Sequence, residues 1–287
     1  MTELEQTIEQ FRIDNGFYPP SFEQFSRETT PSSSLADVTA EVSQLLPFLN
    51  KMAPNHREGV TPSFDAGRAS AGFTLLHEWW VNIGVNLDQR SSHVFWLSGL
   101  AQNKQFPLTG GTGALIAAWN DTSAPVERRE LFEFDASRLL DVFDANGVLL
   151  PNVQAYRMEF GKQKAEDSLV YIYRDAGSYV PGIFNPPSGG VLQPIPYDRF
   201  NGNHLALAYH IYDNSGALQP APNAFPNPES FQLITFGLDA DGGVPRNTDG
   251  TVNLELRGSI VDQGPGHGDN ICNFAPGRLD KFVNDVQ

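Results

Sequence analysis

Cysteine is almost absent from this chain of 287 residues. The one thiol, Cys272, can form no internal disulfide, so the fold is not a disulfide-stapled scaffold. Positive charge is scarce too. Lys and Arg number 19 against 34 Asp and Glu, giving a net charge of −15. A polyanion repels phosphate backbones, so no nucleic-acid partner is expected. No run approaches the ~20 apolar residues of a membrane-spanning helix. The opening Met1-Thr2-Glu3-Leu4-Glu5-Gln6 is polar and acidic. It lacks the basic-then-apolar pattern of a secretory leader. As given, the chain reads as soluble.

What is present is a core-forming apolar content of 40%, with 26 Gly and 21 Pro. That mixture predicts a turn-rich fold rather than a helix bundle. Leu4, Ile8 and Phe11 fall at i, i+4 and i+7, one face of a helix. Asn15-Gly16 is a stop signal, and Pro19-Pro20 prevents continuation. Leu35, Val38, Val42, Leu45 and Leu49 mark a second helix, which Pro47 is expected to kink or end. Residues 53–71 read as a long polar loop. Leu75 to Leu87 fits helix or strand. Ser91-Ser92 is placed to cap a short apolar helix over His93 to Leu100.

Leu131-Phe132-Glu133-Phe134 alternates like a strand. Asp144 to Gly147 reads as a turn. Ala155–Phe160 and Leu169–Tyr173 look like the strands of one hairpin. Further strands are expected at His204–Tyr212, Phe231–Phe236 and Val252–Leu256, and a short helix at Arg278–Val283. Helices first and strands later predict an α+β fold with an antiparallel sheet.

Motifs for catalysis are weak. His77-Glu78 has Val81 where H-E-x-x-H needs its second histidine, and Gly110 to Gly113 lacks the Lys-Ser/Thr of a phosphate loop. Cys272 has no neighbouring base in sequence and reads as a structural thiol. Trp79-Trp80 could stack on a sugar, but such rings more often fill a core. The most informative stretch is Gly237-Leu238-Asp239-Ala240-Asp241-Gly242-Gly243, with Asn247, Asp249, Asp269 and Asn270 nearby. Ca²⁺ takes about six to eight oxygen ligands, commonly from such loops. The spacing is not that of an EF-hand, and a solvated acidic turn accounts for the same residues.

The first helix ends in Phe11-Arg12-Ile13-Asp14-Asn15-Gly16-Phe17-Tyr18-Pro19. This resembles the Y-x-x-D-N-G-x-Y-P signature of type II secretion major pseudopilins and related type IV pilin-like proteins, with Phe11 for the first Tyr. Thr235 to Gly243, followed later by Gly268 to Phe274, is similar to their S-x-G-x-D-G…G-G…A-D-I-x-x-W pattern, with residues 244–267 lengthening the gap. The resemblance is closer to the prepilin-type proteins of planctomycete-like bacteria. Asn227 to Leu238 matches their N-P-x-S-F-Q-L-I-x-x-G-L run, and Val94 to Leu100 their L-V-F-W-L-G-G.

The resemblance implies a pilin-like α+β fold, with an N-terminal helix packed on a C-terminal antiparallel sheet. It implies a helical segment over 1–53, a large mixed insertion over 54–200, and a C-terminal sheet over 201–287. It implies a non-enzymatic filament subunit, extracytoplasmic and anchored in the inner membrane through an apolar segment absent here. Other pilin or pseudopilin subunits would pack along the N-terminal helix. The family's calcium loop maps onto Asp239 and Asp269, with the Leu238 carbonyl, and onto Asp241, Asp249 and Asn270. The contrasting reading is an extracytoplasmic carbohydrate-binding or hydrolytic domain using Trp79 and Trp80.

Overall fold

The computed structural model describes residues 2–22, 35–58, 76–77, 79–81, 83–110, 128–143, 149–157, 170–176, 229–235 and 271–273. Helix α1 (Thr2–Asn15) follows the apolar spacing. Leu4, Ile8 and Phe11 are buried, while Glu3, Gln6, Gln10 and Ile13 are exposed. Gly16 ends it at φ +78°. Its N–H donates to the Arg12 carbonyl at 2.7 Å, and Asn15 Nδ2 donates to the Phe11 carbonyl at 2.8 Å. Two carbonyls that a helix end leaves open are thereby satisfied.

Helix α2 (Leu35–Met52) runs through Pro47 rather than ending there. Pro47 and Ser43 are both exposed, so water can meet the Ser43 carbonyl that proline deprives of its donor. Leu76, His77 and Trp79 to Val81 are helical, which settles the ambiguous stretch. A 3-10 turn follows at Gly84–Asn86. Helix α3 (Ser92–Leu97) is buried along its whole length.

The expected serine cap of α3 is not made, and an aspartate instead organises the turn that leads into the helix. Ser91 holds the N-cap position but makes no side-chain cap bond; its Oγ accepts from Asp88 N at 2.8 Å. The Asp88 carboxylate accepts from the N–H groups of Arg90 and Ser91 at 2.8 and 3.2 Å. It also pairs with the Arg90 guanidinium at 2.8 Å.

Strands β1 (Leu139–Phe143) and β2 (Leu149–Tyr156) form an antiparallel pair. Strands β3 (Tyr171–Asp175), β4 (Phe231–Thr235) and β5 (Ile271–Cys272) form a second antiparallel sheet with β4 central. The three-stranded sheet thus draws on both region 54–200 and region 201–287. The mixture of helices and small antiparallel sheets makes the fold α+β.

One sequence expectation is met in part and another is corrected. The expected arms Ala155–Phe160 and Leu169–Tyr173 meet in an antiparallel Arg157–Val170 bridge, while β2 also pairs with β1 and β3 with β4; residues 158–169 between the arms lie outside the described residues. Leu131 to Phe134 do not form a strand. The N–H groups of Leu131 and Phe132 both donate to the Leu97 carbonyl, at 2.9 and 3.1 Å. Their hydrogen bonds close the end of α3 instead of a ladder. The expected elements at 204–212, 252–256 and 278–283, and the turn at 144–147, lie outside the described residues.

The core is aromatic. Phe22 stacks on Trp96, with centroids 5.3 Å apart and planes at 13°. It meets Phe95 edge-on at 5.3 Å, and Trp79 and Trp80 at 6.1 and 6.3 Å. Such pairs contribute about 0.5–1.5 kcal/mol each beyond their burial. Every residue of β3 and β4 is buried, so both faces of this sheet are covered.

Candidate functional site

The junction after α1 is tied to α3 and β3 by four hydrogen bonds. Tyr173 on β3 donates its hydroxyl to the Pro19 carbonyl at 2.8 Å. Trp96 on α3 donates Nε1 to the Pro20 carbonyl at 2.8 Å. The Asp175 carboxylate accepts from Ser21 N at 2.9 Å, and Ser92 Oγ accepts from Phe22 N at 3.2 Å. The two prolines cannot donate, but their carbonyls accept strongly, so α3 and β3 hold the turn from both sides. Alternation along β3 puts Tyr171, Tyr173 and Asp175 on one face, the face carrying the turn. Tyr18 packs its ring 5.4 Å from that of Phe231 on β4 and donates its hydroxyl back to Glu9 of α1 at 3.0 Å. Phe11 of α1 meets Trp96 at 6.3 Å.

The residues singled out for calcium, Leu238, Asp239, Asp241, Asp249, Asp269 and Asn270, lie outside the described residues. The strands that flank them do not. Thr235 faces Ile271 and Ile234 faces Cys272 in the β4–β5 register. The segment 236–270 therefore leaves and returns at one end of the sheet. Asp239 stands four positions after the end of β4, and Asp269 and Asn270 immediately precede β5. Asn273 fastens the opposite end of the pairing. Its N–H donates to the Leu233 carbonyl at 3.0 Å, its Oδ1 accepts from Leu233 N at 2.8 Å, and its Nδ2 donates to the Phe231 carbonyl at 3.2 Å. The side-chain amide extends the ladder where β5 stops. Carboxylate and amide oxygens are the donor type that hard cations take. Among the described residues, no cluster of three or more His, Cys, Asp or Glu could hold a metal ion.

A cleft of about 1030 Å³ opens between the C-terminal ends of α1 and α2 and two crossing backbone segments. One of these is 97–101, the other 128–132. Arg129 N donates to the Leu100 carbonyl at 3.0 Å, and Ala101 bridges to Arg128. Gly99, at φ +86°, allows the crossing, because a Cβ there would lie 1.9 Å from the Arg129 carbonyl oxygen. Arg128 is fixed in the wall. Its Nη1 donates to the Gly99 carbonyl at 3.3 Å, and its guanidinium lies 5.8 Å from the Phe95 ring centre. Burial lowers its pKa to about 10, which still leaves it charged at neutral pH.

Trp79 and Trp80 are buried at 0% and 1% exposure. Trp80 Nε1 donates to the Glu41 carboxylate at 2.8 Å. Neither indole offers a face to a sugar. Sequence reasoning missed two buried titratable groups. Glu58 sits in the stretch read as loop, yet its Oε1 accepts from the N–H groups of Leu108 and Thr109 at 2.6 and 2.8 Å. Burial raises its pKa to about 7. His93 on α3 is wholly buried, and its pKa is pushed down to about 3, chiefly by desolvation. No local pattern marks either residue, since both are made special by what folds over them.

Comparison with family models, curated proteins and solved structures returns no match. The class supported by the structure is therefore an α+β protein, without a family assignment.

Proposed function

We propose that this chain is the head of a non-enzymatic subunit of a pilus-like filament, either a type II secretion pseudopilus or a related type IV pilin-like assembly. The observation that carries the reading is the α1 junction. An N-terminal amphipathic helix ends in Asp14-Asn15-Gly16-Phe17-Tyr18-Pro19. The following turn is bonded to both a helix and an antiparallel sheet. Such a joint transmits position from a helix to its head, which a filament subunit requires. On this reading the fold is pilin-like, and residues 54–200 are an enlargement of the head. The exposed side of α1, with Glu3, Gln6, Gln10 and Ile13, meets neighbouring subunits. An apolar helix preceding Thr2 anchors the chain in the inner membrane, with the head extracytoplasmic. No helix among the described residues is itself long and apolar enough to cross a membrane.

Calcium belongs to the same proposal. Asp239 and Asp269, with the Leu238 carbonyl and with Asp241, Asp249 and Asn270, would hold the ion. It would offset local negative charge and join the two chain ends at the β4–β5 edge. The β4–β5 register supports this, because it brings both chain ends to one end of the sheet.

The test is genetic. The reading frame upstream of Thr2 is expected to encode a short basic leader and then about 20 apolar residues. A frame with neither would overturn the filament reading.

A further inference from the structure

We infer that the cleft at the joint C-terminal ends of α1 and α2 binds a peptide segment that carries carboxylates beside apolar side chains. The inference stands whether or not the chain assembles into a filament. Its basis is a local reversal of charge. The whole chain carries 34 acidic against 19 basic residues. The cleft, by contrast, is lined by Lys104, Arg128 and Arg129 with Asp14 as its one carboxylate. Asp14 is already engaged, since its Oδ1 accepts from Gln10 Nε2 at 2.7 Å. Lys104 and Arg129 are exposed. Neither Lys104 nor Arg129 belongs to the ion pairs found among the described residues, Arg12–Glu9 and Arg90–Asp88.

The cations are not explained as neutralising the helix ends that border the cleft. Gly16 N, Asn15 Nδ2 and Ala53 N donate to the carbonyls of Arg12, Phe11 and Leu49 at 2.7–2.8 Å. Local donors therefore already serve those termini.

Arg128 supplies a charge held in place before any ligand arrives, which lowers the ordering cost of binding. Lys104 and Arg129 add long-range attraction. Leu100 and Leu131 form an apolar lining, and Leu131 is 39% exposed although it borders the cleft. The volume of about 1030 Å³ stands at the top of the ~300–1,000 Å³ range of ligand pockets. It suits a short run of chain better than a small ion. The combination of fixed cation, mobile cations and apolar wall matches an acidic–apolar peptide.

The test uses the chain as it stands and a fluorescein-labelled peptide of alternating Glu and Leu, about seven residues long and ~25 Å extended. Its Gln–Leu counterpart is the control. Fluorescence anisotropy is expected to show the Glu peptide binding about tenfold or more tighter, with the advantage shrinking from ~0.05 to ~0.3 M salt. The Lys104→Glu/Arg129→Glu double variant changes two exposed side chains and should keep the wild-type melting temperature. It is expected to lose the preference for the Glu peptide. Three results would each overturn the inference: no binding of the Glu peptide, equal binding of both peptides, or a preference that survives in the folded double variant.

Discussion

Among the described residues, buried Glu58 and His93 make stability depend on pH in opposite directions. Glu58 is held by two backbone donors, but burial outweighs them and raises its folded pKa to about 7 from an ordinary 4.5. A carboxyl with a raised folded pKa stabilises below its unfolded value. That contribution is lost as pH rises through the folded value. The window is therefore about pH 4.5 to 7, and the loss is on the order of 3 kcal/mol at about 1.4 kcal/mol per unit. Glu58→Gln keeps an acceptor oxygen and removes the titration. Its melting temperature relative to wild type should climb between pH 5 and 8.

His93 works in the opposite direction. Its folded pKa lies near 3 against an ordinary 6.5, so the unfolded chain takes a proton that the folded ring refuses. Stability falls as pH drops below about 6.5, down to about 3. Neither ring nitrogen has a hydrogen-bond partner among the described residues. His93→Leu should accordingly gain on wild type at pH 5 relative to pH 8 in thermal melts. A variant whose difference from wild type is flat with pH would refute either assignment.

Two glycines separate backbone conformation from backbone crowding at the scale of elements. Gly16 and Gly99 both have positive φ. An added Cβ at Gly16 meets nothing within 4 Å, whereas at Gly99 it meets the Arg129 carbonyl oxygen at 1.9 Å. Gly16→Ala should cost only the left-handed penalty, about 1–2 kcal/mol. Gly99→Ala must also push apart the 97–101 and 128–132 segments. Urea unfolding should show a clearly larger loss for Gly99→Ala, and equal losses would mean that the crossing is not tight. At the α1 junction, Tyr173→Phe removes the one hydroxyl bond to Pro19. It leaves that carbonyl buried with no tyrosine donor, so about 1–3 kcal/mol is expected from the same measurement.

Charge and chain reversal meet at the β4–β5 edge at the scale of the whole molecule. A ligand that binds only the folded state raises its melting temperature. Calcium should therefore raise the melting temperature relative to chelator, and Asp239→Ala should abolish the rise. Identical melts in calcium and chelator would remove the calcium part of the proposal and leave the filament part standing.

Periodicity carried most of the helical architecture. Leu4, Ile8 and Phe11, and Val42, Leu45 and Leu49, could be read as buried stripes, and Asn15-Gly16 as a stop, because these signals are local and repeat with the helix. The β4 strand was legible for a similar reason, since Phe231 to Thr235 is a compact strand-length run. Strand pairing was not legible. The partner of β3 lies more than fifty positions away in β4, and nothing within either strand names the other. The Asp88 turn before α3, the burial of Glu58 and His93, and the cationic cleft were hidden for the same reason. The sequence by itself determined the buried stripes of α1 and α2, the stop after α1, the acidic balance and the motif order behind the filament proposal. Only the tertiary structure decided which strands pair, which titratable groups lose water, and where scattered cations converge, because each depends on contacts between residues far apart in the chain.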